Sequence, residues 1–301
     1  MRLPLSCPLR PWLRALAPML AALALPACTS LEEPEGPARK ETLVVLTADH
    51  QLLRVNAGQP RRVLDRRPVG GLPPGETLLG IDYRVARGVL YALGRSGAIY
   101  TLDEATGKAT RVGTSPLALP LPAGRFGFDF NPAADRLRVV SGAFNLRIHP
   151  DTGAAVDADP QREGVQGDGS LAYEAADPNA SRRPDIVAAA YTYNNRDDRL
   201  TTNYAIDGAL GILAMQGSRE GAMPVVSPNT GRLTTVGALG TGPLDEASFD
   251  IADVDNAAFA ALRGRGEGRT RLYTVDLASG RAQLIGTLDA GRPILGLAVK
   301  P

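Results

Sequence analysis

The chain has 301 residues, with 33 Lys and Arg against 32 Asp and Glu, a formal charge of +1, two His and two Cys. No basic block is interleaved with aromatics, which argues against a nucleic-acid partner, and two Cys cannot build a disulfide scaffold. With His50 and His149 as the sole imidazoles and no H-E-x-x-H, Cys cluster, G-x-S-x-G or phosphate loop ending in Lys-Ser/Thr, zinc chemistry, a serine triad and nucleotide binding lack their motifs.

The first element reads as a processing signal. Arg2, Arg10 and Arg14 form a basic region, "ALAPMLAALAL" (15–25) an apolar one, and "LPAC" (25–28) a small-residue cleavage site ending in Cys28. The layout resembles the lipobox of bacterial lipoproteins. The expectation is a signal peptide over 1–27, diacylation of Cys28 and anchoring in the cell envelope. Thr29, where inner-membrane lipoproteins often carry Asp, favours the outer membrane, facing the periplasm. Plain secretion with an incidental Cys is the alternative. Residues 28–41, which include "SLEEPEGPARKE", are polar and rich in Pro and Gly and read as a flexible tether. Without the leader the charge is near −2.

From residue 42 onward short apolar runs alternate with Gly, Pro, Asn and Asp, the pattern of an all-β chain. Two echoes recur. Hairpins are read in "IYTLDEATGKATRVG" (99–113), "LRIHPDTGAAVD" (146–157), "MPVVSPNTGRLTTVG" (223–237) and "LYTVDLASGRAQLIG" (272–286). Upstream strand pairs are read in "LGIDYRVARGVLYAL" (79–93), "FGFDFNPAADRLRVV" (126–140) and "ASFDIADVDNAAFAAL" (247–262), with "DIVAAAYTYNNRDDRLTTNYAIDG" (185–208) as a further unit. Four antiparallel strands per unit, repeated without disulfides, predict a β-propeller over 42–301, because a lone four-stranded sheet leaves two apolar faces open. Residues 41–65 hold three strands and "RPILGLAVKP" one, so the last strand is expected to complete the first blade. The count is five four-stranded blades, or six if 164–176 holds strands of its own. A β-sandwich pair and an open solenoid are the competing folds.

In 126–140, Phe126, Phe128 and Phe130 share one strand face and Gly127, Asp129 and Asn131 the other. Turns account for most of the polar residues, but not for Asp129. Asp82 and Asp250 stand in the same frame, each two residues after a small residue, Gly80 and Ser248. The three are expected to converge near the central channel. Either they accept backbone N–H groups from the next blade and lock the ring, or they surround a cation, for which oxygen ligands suit Ca²⁺. Tyr191, Tyr193, Asn194 and Arg196 form a second polar concentration, readable as a glycan or peptide surface or as a hairpin turn. Paired carboxylates for glycoside hydrolysis stay open, because nothing selects one pair.

The motifs "GFDFNPAADRLRVVS", "NLRIHPDTGA", "GSLAYEAADPNA", "VAAAYTYN", "YAIDGALGILAMQG" and "PNTGRLTTVGALG" resemble, in that order, domain-of-unknown-function family 4394 over roughly residues 43–301. The resemblance implies a bacterial, largely exported, propeller-like domain with no established activity and no catalytic residue to carry over. Its "GFDFNP" Asp and Asn fall on Asp129 and Asn131, and Asn203 stands where the family has Leu. The functional expectation is a monomeric, non-enzymatic, lipid-anchored scaffold that binds an envelope protein or glycan without a cofactor. The alternatives are an envelope hydrolase or lyase acting on a sugar or lactone with Ca²⁺ in the channel, and a purely structural envelope domain.

Overall fold

The computed structural model describes residues 36–114, 116–288 and 292–301. The leader and Cys28 lie outside the described residues. The elements follow the turn chemistry of the sequence. The first three strands are β1 (Thr42–Thr47), β2 (Gln51–Asn56) and β3 (Gln59–Pro68). The second sheet holds β4 (Leu78–Arg84), β5 (Val89–Gly94), β6 (Ile99–Leu102) and β7 (Ala109–Val112). The third holds β8 (Gly127–Asn131), β9 (Arg136–Ser141) and β10 (Phe144–Ile148). The fourth combines β11 (Ala172–Tyr173), β12 (Ile186–Tyr191), β13 (Asn203–Asp207), β14 (Ile212–Gln216) and β15 (Arg232–Ala238). The fifth holds β16 (Leu244–Ile251), β17 (Ala258–Gly264), β18 (Arg271–Val275) and β19 (Ala282–Thr287). Last comes β20 (Ile294–Val299), which pairs antiparallel with β1, Leu43 opposite Val299.

The sheets are the blades of a five-bladed propeller. Strand β20 packs on β4, β4 on β8, β8 on β12, β12 on β16, and β16 on β20. Each blade buries its faces against its neighbours, and five apolar clusters fill the five seams. Phe126, Phe128 and Phe130 enter one of them together, as the period of two requires.

The strand count departs from four per blade in two places, and both depend on the loop over 157–185. Blade 3 has three strands. The edge of β10 is instead covered by irregular chain: Val156 N–H donates to the Arg147 carbonyl, Asp168 N–H to that of Asn145 and Leu171 N–H to that of Ala143, at 2.8, 3.1 and 2.9 Å. Blade 4 has five strands, because β11 adds parallel to the outside of β15. The strand expected over 164–176 therefore exists but does not begin a sixth blade. The hairpin expected over 223–237 also differs. Pro228–Thr230 is a single 3₁₀ turn, and the segment before it forms no strand.

The seam between blades 3 and 4 is partly polar. Arg138, 1% exposed, donates to the Tyr191 hydroxyl, Asn145 Oδ1, Asp168 Oδ2 and Asn229 Oδ1 at 3.0, 2.8, 2.6 and 2.6 Å. Arg147 closes on the same Asp168 carboxylate. Gln216 bridges to Asn145 at 3.1 Å and accepts from Asn203 Nδ2 at 3.1 Å. The buried Asn203 thus extends a polar network.

Candidate functional site: the channel mouth and its three aspartates

Five inner strands meet at the axis, and their small residues let them approach. A Cβ on Gly127 would sit 2.6 Å from the Ala189 nitrogen, and one on Gly296 would sit 2.7 Å from the Ile81 nitrogen. The middle of the channel is consequently almost solid. A cavity of about 10 Å³ lies there, lined by Gly80, Gly127, Ala188, Ser248 and Gly296 among others, at the lower limit for one water.

Above this plug the structure brings Asp82, Asp129 and Asp250 together. All three are buried, and one carboxylate oxygen from each lies within 4.8 Å of the others. Each accepts a backbone N–H from the following blade: Asp82 from Phe130 at 2.7 Å, Asp129 from Tyr191 at 3.0 Å, Asp250 from Val299 at 2.6 Å. Asp250 also accepts from its own neighbour Ile251 at 2.6 Å, and Asp82 interacts with the Tyr83 N–H. These are the positions where the preceding blades, 4 and 1, carry no Asp. Three carboxyl groups thereby serve the corresponding N–H of all five inner strands.

Burial raises the pKa of all three. For Asp82 the Asp250 charge adds to it, and for Asp129 the charges of Asp82 and Asp250 do. Asp250, relieved by two N–H bonds, is pushed up to about 7. No ion pair to a cationic side chain is formed by any of them among the described residues. Like charges at this spacing are tolerated by holding protons or by holding a cation. The oxygen-only donor set is of the kind that suits Ca²⁺.

A pocket of about 800 Å³ lies over the channel mouth, where the inner strands end. Phe130, Asn131, Pro132 and Arg84 line one side, and the loop Tyr193–Leu200 the other. Tyr193 faces the aspartates: burial first, then the charges of Asp82, Asp129 and Asp250, raise its phenol pKa. Its backbone is clamped by Asn256, with N–H to Oδ1 at 2.7 Å and Nδ2 to carbonyl at 2.8 Å. Arg84 is fixed between the Asp135 and Asp151 carboxylates, which raise its pKa. Asn194 Oδ1 accepts the N–H groups of Arg196 and Asp197 at 2.9 and 3.0 Å, so the loop wall is shaped by its own side chain.

Of the residues singled out by sequence, Tyr193, Asn194 and Arg196 line this pocket and the three Asp lie beneath it. Tyr191 does not belong to the surface: it is 1% exposed, with its hydroxyl bonded to Arg138. Asn131, on the strand face it shares with Asp129, also lines the pocket, as does Arg84, which is not among those singled out by sequence. Its signal was available, since each of the two stands two residues after an Asp of the set, at the open end of an inner strand. His149 accepts the Asp151 N–H at 3.2 Å, in a turn.

A family model described as "Domain of unknown function (DUF4394)" matches residues 51–298. Among curated proteins, none matches the chain. Among solved structures, the chain is similar to the glutaminyl cyclase of Myxococcus xanthus, at 15% identity, 75% of this chain and 83% of that one, with TM-score 0.42. It is similar to a chain of a nidogen/laminin complex, at 10% identity, 87% and 98% coverage and TM-score 0.46. It is also similar to a protein of unknown function from Bacteroides thetaiotaomicron, at 14% identity, 84% and 60% coverage and TM-score 0.42. These likenesses transfer neither a ligand nor an activity.

Proposed function

Because the chain belongs to the DUF4394 family, whose description assigns no activity, we propose a function from the site itself: a non-enzymatic envelope protein, lipid-anchored through Cys28 and probing its surroundings with the pocket at the channel mouth. The ligand is polar, a glycan or the polar segment of an envelope protein. The observation that carries this reading is the pocket of about 800 Å³, a size that suits small-molecule and oligomeric ligands. Its walls offer an aromatic ring, Asn amides and guanidinium groups on a rigid ring of strands. Binding of envelope oligosaccharides, followed by calorimetry, tests it. Asn194→Ala and Arg196→Ala should weaken binding at least several-fold. Binding unchanged by both substitutions removes the pocket from the reading.

A second reading, an enzyme of the hydrolase or lyase class with Ca²⁺ at the channel, is favoured by the three carboxyl groups within 4.8 Å under the pocket floor. Metal analysis of protein purified without chelator, together with turnover assays on sugar and lactone substrates, separates the two. A stoichiometric divalent ion and turnover lost in Asp129→Asn would transfer the assignment to catalysis.

A further inference from the structure

The inner strands run in one direction. Gly80 meets Phe128 and Gly127 meets Ala189, while two residues further on Asp82 meets Phe130 and Asp129 meets Tyr191. Their C-terminal ends therefore share one face, the face of the pocket. Segments on this face touch in series. Lys40 pairs with Asp255 at 2.7 Å, Asn195 Nδ2 donates to the Val254 carbonyl at 2.9 Å, and Glu220 N–H donates to Thr202 Oγ1 at 3.0 Å.

Among the described residues six large hydrophobic side chains are exposed, and four of them occupy loops of this face. They are Leu200 beside the pocket, Met223 and Val225 between β14 and β15, and Val254 between β16 and β17. Met223 is 86% exposed, Val225 72% and Val254 64%. The other two, Leu64 and Leu284, sit on the outermost strands β3 and β19. Single exposed apolar residues need no account, but these are gathered at the tips of adjoining loops. Exposed Arg196 and Arg219 stand among them, while Arg199 is paired with Asp197 at 2.9 Å beside exposed Asp198.

The chain also joins the propeller at this face. The Gly36 carbonyl accepts from Gln59 Nε2 at 3.2 Å, and Arg39 exchanges two hydrogen bonds with Asn56, at 2.9 and 2.7 Å. Gly36 lies eight chain steps from Cys28, which extended span at most about 29 Å.

We propose that this face rests on a lipid bilayer. Met223, Val225, Val254 and Leu200 enter the boundary between headgroups and acyl chains, and Arg196 and Arg219 lie level with the lipid phosphates. The short reach to the membrane rests on the anchored reading above; the apolar loop tips and their arginines do not. The pocket then opens toward the membrane, and its ligand is carried by a lipid headgroup or a membrane-bound glycan.

The test uses the full lipidated chain in phosphatidylethanolamine/phosphatidylglycerol vesicles. With Cys28 acylated, one added cysteine takes an environment-sensitive dye: Met223→Cys, Val254→Cys, and as rim controls Leu64→Cys and Leu284→Cys. Dyes at 223 and 254 should shift to the blue and be quenched several-fold more by lipid-borne quenchers than those at 64 and 284. Equal quenching at all four sites overturns the proposal. Dyes at 223 and 254 that are shielded from water by added envelope proteins, yet untouched by lipid quenchers, identify a protein partner and also overturn it. If mass spectrometry shows no acyl group on Cys28, the anchor reading fails separately. The same labels are then read with the protein added to excess vesicles, and no blue shift at 223 and 254 overturns the proposal.

Discussion

Asp82, Asp129 and Asp250 cannot all ionise at this spacing without a counter-charge. Asp250 has its pKa raised from an ordinary carboxylate value to about 7. A raised acid binds protons in the folded state that the unfolded chain has already lost, so its favourable contribution is complete below about pH 4 and disappears as pH rises to about 7. Without a cation, melting temperature should therefore fall across that window, by an amount corresponding to a few kcal/mol. Excess Ca²⁺ should flatten the slope if the site binds it, and chelator should restore it; an identical slope with and without Ca²⁺ assigns the centre to ring-locking alone. Asp129→Ala orphans the Tyr191 N–H and should cost about 1–3 kcal/mol at pH 5. At pH 8 the cost should be smaller, because a like charge is removed with it. Denaturant melts at the two pH values measure this difference, and equal costs would contradict the repulsion.

Inner strands depend on close approach as well as on hydrogen bonds. A methyl group on Gly127 would collide with the backbone of Ala188 and Ala189 at 2.7 and 2.6 Å. Gly127→Ala should cost roughly 1–3 kcal/mol or more, since the obstacle is backbone that cannot rotate away. A melting curve identical to the unsubstituted protein would mean that the blades slide apart freely. The loop over 157–171 is held differently, by the buried Asp168 carboxylate between Arg138 and Arg147. Asp168→Ala leaves the Arg138 guanidinium buried without its carboxylate and should cost about 3–5 kcal/mol. The same change should raise hydrogen exchange in this loop, which replaces the missing fourth strand of blade 3.

At the scale of the molecule, no blade stands on its own. Two seams of blade 1 depend on β20, whose residues enter the clusters on both sides: Ile294, Leu297 and Val299 in one and Ala298 in the other. Deleting 294–301 strips blade 1 of its inner strand and orphans Asp250 of the Val299 N–H. It should abolish cooperative unfolding rather than lower the midpoint by a few degrees. A sharp transition retained in the truncated protein would show that the remaining blades close without it.

Residue patterning alone determined the all-β class, the repeated strand unit and the inward frame of Asp82, Asp129 and Asp250, because strand period, turn residues and a recurring polar position are local features. The choice of five blades over six waited on where 164–176 packs. Gly127 and Gly80 marked the thin strip of the inner strands in the same way. Tertiary structure alone decided that segment 157–185 splits between two blades, that Tyr191 is core while Tyr193 is pocket, and that Arg84 joins the wall. Those outcomes depend on which chain segments ring closure brings face to face, and contacts between residues so far apart in sequence leave no periodic trace in either partner.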